Sequence, residues 1–281
     1  MGRFLDWRDG FFYGKDAMIQ AYKTLERIRK QKPLVHHITN WVTICDCAHI
    51  TRCIGALPVM AHAKEEVAQM TGIAQALVLN IGTLTPELVE AMILSGKQAN
   101  RKKIPIVLDA VGAGATDLRT EKVREIMDAV HVDIIKGNAG EIATMAGVKA
   151  EVKGVESVGV EGDPVTIAKQ LAQARAAVVV VTGENDFVAE ADGVYRIRNG
   201  HALMGCVVGT GCMAASAIAS FAAVRSEYGK AAAEALACYG VAGELAAEQS
   251  GGPGTFRARF FDAVFHLDER KLHDRMRVER L

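Results

Sequence analysis

The residues most able to support chemistry form a short glycine-rich stretch in the C-terminal third of the chain. Gly209, Thr210, Gly211 and Cys212 are followed by small, helix-favouring residues up to position 224. Glycines permit a sharp turn and a close approach to a ligand, and the unpaired amides at the start of a helix bind anions. The pattern predicts an anion hole at Gly209, Thr210 and Gly211. At a helix N-terminus the pKa of the Cys212 thiol is expected to be lowered, so the stretch favours phosphoryl transfer.

Two other interpretations of the same stretch remain open on the residues alone. The glycines can form an ordinary structural turn with Cys212 simply buried, because cysteine is among the most buried residue types. The stretch also fits the G-x-G-x-x-A dinucleotide fingerprint, from Gly209 to Ala214. That fingerprint requires a well-formed strand before it, whereas only Val207 and Val208 precede the turn as clear strand residues.

A second group of polar residues follows predicted strands. Asp109, Lys136 and Thr182 each end an apolar run, and Glu141 comes soon after Lys136. In an open parallel sheet the carboxyl ends of the strands form the ligand edge, so we expect these groups to converge. They suit a Mg²⁺–nucleotide site, since Mg²⁺ takes few carboxylates and relies on substrate phosphates. Each residue could instead only cap a loop. The chain has no GxxxxGK[ST] P-loop, so a kinase with this sequence must hold phosphate elsewhere, and the Gly209–Cys212 turn is the candidate.

Strands and helices alternate through most of the chain. Continuous apolar strands indicate a parallel sheet covered by helices on both faces; the predicted strands include residues 76–80, 104–109, 133–136 and 177–182, and the predicted helices include residues 86–101 and 121–130. The turn Asp192-Gly193 predicts a hairpin. We expect a single α/β domain over residues 1–281, with residues 1–14 as an N-terminal arm.

Composition argues against two classes of partner. Lys plus Arg and Asp plus Glu each number 33, so the net charge is zero, whereas a nucleic-acid partner calls for a basic face. The longest apolar run, residues 213–224, is too short to cross a membrane. The N-terminus has no apolar signal core. The sequence therefore predicts a cytoplasmic protein with neither a nucleic-acid nor a membrane partner.

Thr39 and Asn40 are predicted to cap a helix that runs to about residue 54 and carries three of the six cysteines. Cys45, His49 and Cys53 share one face of that helix because they are spaced i, i+4, i+8. A metal site is conceivable there, although a fourth ligand is not evident. Buried thiols with one polar histidine are the other interpretation, and no spacing suggests a disulfide framework.

Taken together and in order, eight motifs resemble the hydroxyethylthiazole kinase family of the ribokinase-like superfamily over residues 34–267. The motifs are VHHITNWV (35–42), GALPVMA (55–61), LVLNIGTLT (77–85), PIVLDAVGAGAT (105–116), IIKGNAGEI (134–142), VVVVTGEND (178–186), VVGTGCM (207–213) and GGPGTF (251–256). The resemblance implies a sheet of nine strands flanked by helices. It also implies a homotrimer with active sites at the subunit interfaces.

The resemblance further implies a kinase of thiamine salvage, which transfers the γ-phosphate of ATP to the primary hydroxyl of 4-methyl-5-(2-hydroxyethyl)thiazole. Carried over by motif, Met60 and Gly209 contact the thiazole. Lys136 and Thr182 contact ATP.

The remaining carried-over residues concern the metal and the proton. Asp109 and Glu141 serve the Mg²⁺–phosphate region. Cys212 stands where most ribokinase-like enzymes have an aspartate that acts as general base.

Two departures from the family pattern bear on the substrate. Lys136 stands where the family usually has arginine, which keeps the charge but loses the bidentate fork. Residues 45–49 read Cys-Asp-Cys-Ala-His where an Asn-x-Thr-Ala-Asn-like pattern is expected near the thiazole.

Three alternative functions stay open beside the thiazole kinase: a related kinase for another small alcohol such as hydroxymethylpyrimidine, a non-catalytic thiazole-binding protein, and an NAD-dependent reductase. Cys212 in place of aspartate favours the thiazole kinase.

Overall fold

A computed structural model describes residues 15–148, 150–153, 156–160 and 162–281. The predicted arm at residues 1–14 lies outside this range. The strands are β1 (Leu34–Ile38), β2 (Leu57–Val59), β3 (Ala76–Asn80), β4 (Ile106–Asp109), β5 (Ile134–Asn138), β6 (Ala150–Lys153), β7 (Glu156–Val160), β8 (Val178–Thr182), β9 (Asp186–Glu190), β10 (Gly193–Ile197) and β11 (Val278–Arg280). The α-helices are α1 (Lys15–Gln31), α2 (Ile44–Ile54), α3 (Val67–Ile73), α4 (Pro86–Lys102), α5 (Asp117–Ala129), α6 (Ala139–Met145), α7 (Pro164–Arg175), α8 (Thr210–Ala222), α9 (Tyr228–Glu248), α10 (Pro253–Phe265) and α11 (Glu269–Arg275).

A nine-stranded sheet with the order β11-β10-β9-β8-β5-β4-β3-β1-β2 forms the centre of the fold. Strands β2, β1, β3, β4, β5 and β8 are parallel to their neighbours in that series. Strands β9, β10 and β11 are added antiparallel at one side. This arrangement confirms the predicted α/β fold with a mostly parallel sheet. The small sheet of β6 and β7 and the edge strand β11 are not predicted from the sequence.

Alternate residues of the central strands face opposite sides of the sheet, which explains their continuous apolar runs. In β3, Ala76 and Val78 belong to the core that packs against α1, α2, α8, α9 and α10. Leu77 and Leu79 belong to the core under α4, α5, α6 and α7. Helices therefore cover both faces, as the sequence predicts.

Helix α8 passes through the first of these cores and is buried on all sides from Cys212 to Ala222. Its alanines and serines allow this, because small side chains let neighbouring elements approach. It packs against α2 and α9 and lies on β1, β3 and β4. The ring Nε2 of His37 and the hydroxyl of Ser216 form a buried hydrogen bond of 3.1 Å. These contacts fix where the helix begins.

Two helix starts differ from the prediction for local reasons. Asn40 does not cap a helix directly: its Oδ1 accepts the N–H groups of Val42 and Thr43 at 3.1 and 3.0 Å. This Asx turn delays the start of α2 to Ile44. Helix α5 begins earlier than predicted because the Thr116 side chain caps it. Within the described residues, no helix has both the length and the apolarity of a membrane span.

Helix α9 comes very close to the chain after β10 at Gly240, where an added Cβ would lie 2.6 Å from the backbone oxygen of Asn199. We expect Gly240→Ala to lower the free energy of unfolding by about 1–3 kcal/mol, because backbone must move to relieve the overlap. Urea denaturation measures this value. Gly254→Ala, on α10, is the matched control, since nothing lies within 4 Å of its added Cβ. Equal losses in the two variants would contradict the packing argument.

Candidate active site

The parallel strands bring three polar side chains to neighbouring positions at one edge of the sheet. The β-ladder pairs Asn80 with Asp109, and Asp109 with Lys136. All three residues are buried. Asp109 and Lys136 therefore converge as their strand-end positions predict, with Asn80 beside them, in the middle of the carboxyl edge where ligands of open α/β sheets bind.

The centre of the edge is an ion pair between the Lys136 ammonium and Asp109 Oδ1, with an N–O distance of 2.9 Å. The second carboxylate oxygen accepts a hydrogen bond from the Asn80 amide at 2.8 Å. Burial raises the pKa of the Asp109 carboxyl, and Lys136 and Asn80 oppose that rise. Burial alone lowers the pKa of the Lys136 ammonium, but the anionic groups around it raise it above its usual value. The lysine stays charged.

Glu141 lies beside this pair on the first turn of α6. Its Oε1 accepts the Gly112 N–H at 2.7 Å, and its Oε2 accepts the Asn138 N–H at 2.7 Å. The Asn138 side chain accepts the Glu141 N–H in return, which completes a capping box. Burial raises the pKa of Glu141 to about 7, with Asp109 adding to the rise and Lys136 opposing it. The Glu141 side chain thus connects the loop after β4 to the end of β5.

The glycine-rich turn lies directly over the lysine. Gly209 has φ +94°, and a Cβ on it would lie 2.7 Å from Thr43 Cγ2. Helix α8 begins at Thr210, so its first amides are available to a ligand. A Cβ on Gly211 would lie 3.3 Å from the Lys136 nitrogen. The structure therefore joins the predicted anion hole to a buried positive charge.

Cys212 lies at the same place but in a different state from the one expected. The Asn40 amide donates to its sulfur at 3.4 Å. Burial and the Asp109 carboxylate raise the pKa of the thiol, and Lys136 opposes them. The expectation of a lowered pKa is wrong, because loss of solvation outweighs the helix terminus. The group is a thiol near neutral pH.

Asn40 is a site residue that the sequence argument assigned only to a helix cap. Its Nδ2 also donates to Asn80 Oδ1 at 2.9 Å, so one side chain connects Cys212, the Asn80–Asp109 pair and the turn before α2. Its position two residues after the end of β1 is the signal that would have found it, because polar residues that follow a strand lie at the ligand edge.

Met60 and Thr182 mark the two sides of this edge. Met60 follows β2, which lies beyond β3 and β1 on one side of Asp109, and it is half-buried. Thr182 ends β8 on the other side, where its hydroxyl donates to the Gly137 carbonyl at 3.4 Å. The two residues are thus well separated, with the ion pair between them.

The cysteines of α2 do not lie as either interpretation of the sequence expects, a metal site or a row of buried thiols. Cys45 and His49 are exposed and Cys53 is half-buried, whereas Cys47 is the buried thiol. Among the residues that the structure describes, no three His, Cys, Asp or Glu side chains are grouped to hold a metal.

A second ion pair lies beside the glycine turn and has no counterpart in the sequence argument. Asp46, on α2, pairs with Arg257, on α10. The Asp46 carboxylate also lies 4.0 Å from the position of a Cβ on Gly209. The pair joins two helices next to the space where a ligand would meet the turn.

The chain matches known proteins along most of its length. Residues 25–270 match the sequence model described as "Hydroxyethylthiazole kinase family". A hydroxyethylthiazole kinase of Methanosarcina mazei is 57% identical over 257 residues, which cover 92% of this chain and 98% of that protein. One from Chloroflexus aurantiacus is 50% identical over 253 residues, with 90% and 94% covered.

Solved structures agree with the sequence matches. The hydroxyethylthiazole kinase structure from Pyrococcus horikoshii OT3 superposes with a TM-score of 0.86 at 38% identity, covering 94% of this chain and 99% of that one. A ribokinase-like protein of Enterococcus faecalis, at 11% identity and a TM-score of 0.62 over 86% and 93% of the chains, shares the fold.

A double-mutant cycle tests how strongly the buried pair of Lys136 and Asp109 stabilises the folded protein. We expect Lys136→Met to lower the free energy of unfolding by about 3–5 kcal/mol at pH 7, because it leaves the Asp109 carboxylate unpaired in the core. Adding Asp109→Asn keeps the acceptor for Asn80 and removes that charge, so it should restore part of the loss. Chemical denaturation of the four proteins gives the coupling energy.

The pH dependence of Lys136→Met is the control. Without the ammonium, the pKa of Asp109 in the folded protein rises further above its usual value, so the folded state binds a proton more tightly than the unfolded state. Stability of this variant should therefore fall as pH rises from about 4 toward 7. A pH-independent deficit would mean that the lost packing, and not the lone carboxylate, causes the instability.

Proposed function

The chain belongs to the hydroxyethylthiazole kinase family, and from this we infer that it transfers the γ-phosphoryl group of ATP to the hydroxyl of 4-methyl-5-(2-hydroxyethyl)thiazole. The observation that carries the inference is the start of α8 at Gly209–Cys212, directly over the buried ammonium of Lys136. Free helix amides beside a fixed positive charge are what a transferred phosphoryl group requires. The reaction serves thiamine salvage.

The strand order supports an assignment of the two substrates. ATP lies on the side of β5 and β8, with Lys136 and Thr182 as its contacts. The thiazole lies on the side of β1 and β2, with Met60 and Gly209 as its contacts. Phosphoryl transfer then runs across the middle of the edge, where the turn of α8 lies.

Catalysis in this arrangement depends mainly on positioning and on charge stabilisation. The amides of Thr210, Gly211 and Cys212 receive the charge on the transferred phosphoryl group, and Lys136 neutralises part of the remainder. The Cys212 thiol, held by Asn40, orients the substrate hydroxyl. Its raised pKa keeps the thiol protonated near neutral pH, so Cys212 does not accept the proton of the substrate hydroxyl. A loose transition state tolerates this, because the proton leaves late and passes to the transferred phosphoryl oxygens or to water.

Magnesium is the expected companion of ATP. Asp109 and Glu141 would serve it, and both already accept two hydrogen bonds from the protein. Such carboxylates suit an ion that keeps most of its waters and is bound chiefly through phosphates. When bound, the ion neutralises phosphate charge.

A homotrimer with active sites at its interfaces is also part of the proposal. Trp41, Val42 and Val208 are 56%, 67% and 73% exposed in the single chain. They lie next to Asn40 and Gly209, so they surround the substrate side of the site. Apolar side chains in such a cluster are typical of a surface that a partner covers.

We further propose that the enzyme works in the cytoplasm.

The first test of this function is ADP release by the purified protein with ATP and Mg²⁺. We expect release that depends on the hydroxyethylthiazole, with hydroxymethylpyrimidine as the control alcohol. Release with the pyrimidine alone would reassign the substrate. ATP binding without release in the presence of either alcohol would point to a non-catalytic thiazole-binding protein.

Replacements in the turn should separate the anion hole from the thiol. Gly209→Val places atoms against Thr43 at a left-handed backbone position, so we expect kcat to fall about hundredfold or more as the amides move. Cys212→Asp should keep substantial activity, because it restores the usual polar residue of related kinases without moving the turn. Steady-state rates of the purified variants measure both. An inactive Cys212→Asp beside an active Gly209→Val would reverse this ranking.

A further inference from the structure

We propose that Arg119 is a positioning residue that sets the separation between the Asp109 and Glu141 carboxylates. The proposal deepens the kinase function inferred above and rests on it. Arg119 lies on the first turn of α5, and the side chain of Thr116 accepts its backbone N–H at 3.3 Å. The helix start therefore fixes where the long side chain begins.

The guanidinium of Arg119 bridges the loops that follow β3 and β4. Nη1 donates to the carbonyl oxygens of Ile81 and Val111 at 3.1 and 2.9 Å. Nη2 donates to the carbonyl oxygen of Gly82 at 2.8 Å. A planar fork with several fixed donors can hold two loops at once, which a lysine ammonium on a flexible stem does less well.

Two of these carbonyls belong to peptide units whose N–H groups bind the site. The peptide between Val111 and Gly112 has its oxygen on Arg119 and its N–H on Glu141 Oε1 at 2.7 Å. The peptide between Ile81 and Gly82 has its oxygen on Arg119 and its N–H on the Asn80 side chain.

The Asn80 amide in turn donates to Asp109. Because a peptide unit is planar and rigid, holding its oxygen also holds its N–H. Arg119 thus fixes the groups that position both Asp109 and Glu141, although it bonds to neither carboxylate directly.

Gly112 is adapted to this bridge. Its φ is +77°, and a Cβ on it would lie 3.0 Å from Arg119 Nη1. An alanine there would therefore press on the guanidinium without removing it. Gly112→Ala is a second way to disturb the bridge while Arg119 itself stays in place.

The test replaces Arg119 by alanine and then supplies guanidinium ion at low, non-denaturing concentration. We expect kcat of Arg119→Ala to fall about tenfold to a hundredfold, because small displacements of positioning groups have effects of that size. The KM for the thiazole should change little. Guanidinium should restore much of kcat, and methylammonium should not.

Two further variants make the test specific. Arg119→Lys should recover little, because one ammonium lacks the fork. Arg124→Ala, on the same helix, is the matched control: Arg124 donates to the Thr144 carbonyl at 3.4 Å, away from both loops. Its kcat should be that of the wild-type protein.

A second measurement separates this proposal from the proposed function. Guanidinium should raise the melting temperature of Arg119→Ala but not that of the wild-type protein, and this readout needs no substrate. If the wild-type protein does not phosphorylate the thiazole, the proposed function is wrong. The melting temperatures then still show whether Arg119 holds the two loops together. A kcat for Arg119→Ala within about twofold of wild type, or a loss that guanidinium does not reverse, would overturn the proposal. If Arg119→Ala does not fold, normal kcat in Gly112→Ala would overturn it.

Discussion

A charged ammonium is costly to bury unless it is paired, and in this protein the pairing of Lys136 with Asp109 organises the centre of the ligand edge. Lys136 reaches Asp109 because β4 and β5 are in register, and Asp109 has its other oxygen occupied by Asn80. Asn80 then binds Asn40, and Asn40 holds both Cys212 and the turn before α2. The site is therefore one connected set of polar contacts with the ion pair at its centre.

The fold supplies what this set of contacts needs, a rigid floor and a fixed helix start. The floor is the parallel sheet, buried on both faces by two apolar cores. The helix start belongs to α8, which is enclosed between α2, α9 and the sheet. Since small side chains cover α8, its axis can lie close to its neighbours, and its first amides end up above Lys136. If phosphate binds at these amides as proposed, its recognition depends on how α8 packs far from the ligand edge.

The strands and their polar ends could be predicted because both follow from local patterns. Apolar runs reveal buried parallel strands, and topology alone then brings Asp109, Lys136 and Thr182 to one edge. The state of Cys212 could not be predicted, because desolvation depends on what packs around it and a helix terminus is only one contribution. The contacts on which the proposal for Arg119 rests are equally hidden in the sequence, since its partners are backbone carbonyls, which every residue possesses. Asn40 fits a capping pattern, but it forms the turn before α2 and bonds to Asn80 and Cys212 instead.

The outer strands of the sheet have a consequence for how copies of this chain meet. Both edge strands, β2 and β11, are only three residues long, and β2 contains Pro58, which has no N–H to donate. Short edges and proline discourage the addition of a foreign strand. Two copies of this chain are thus discouraged from joining their sheets into a continuous ribbon. The same feature protects a chain that is half hydrophobic against edge-to-edge aggregation when many copies are crowded together.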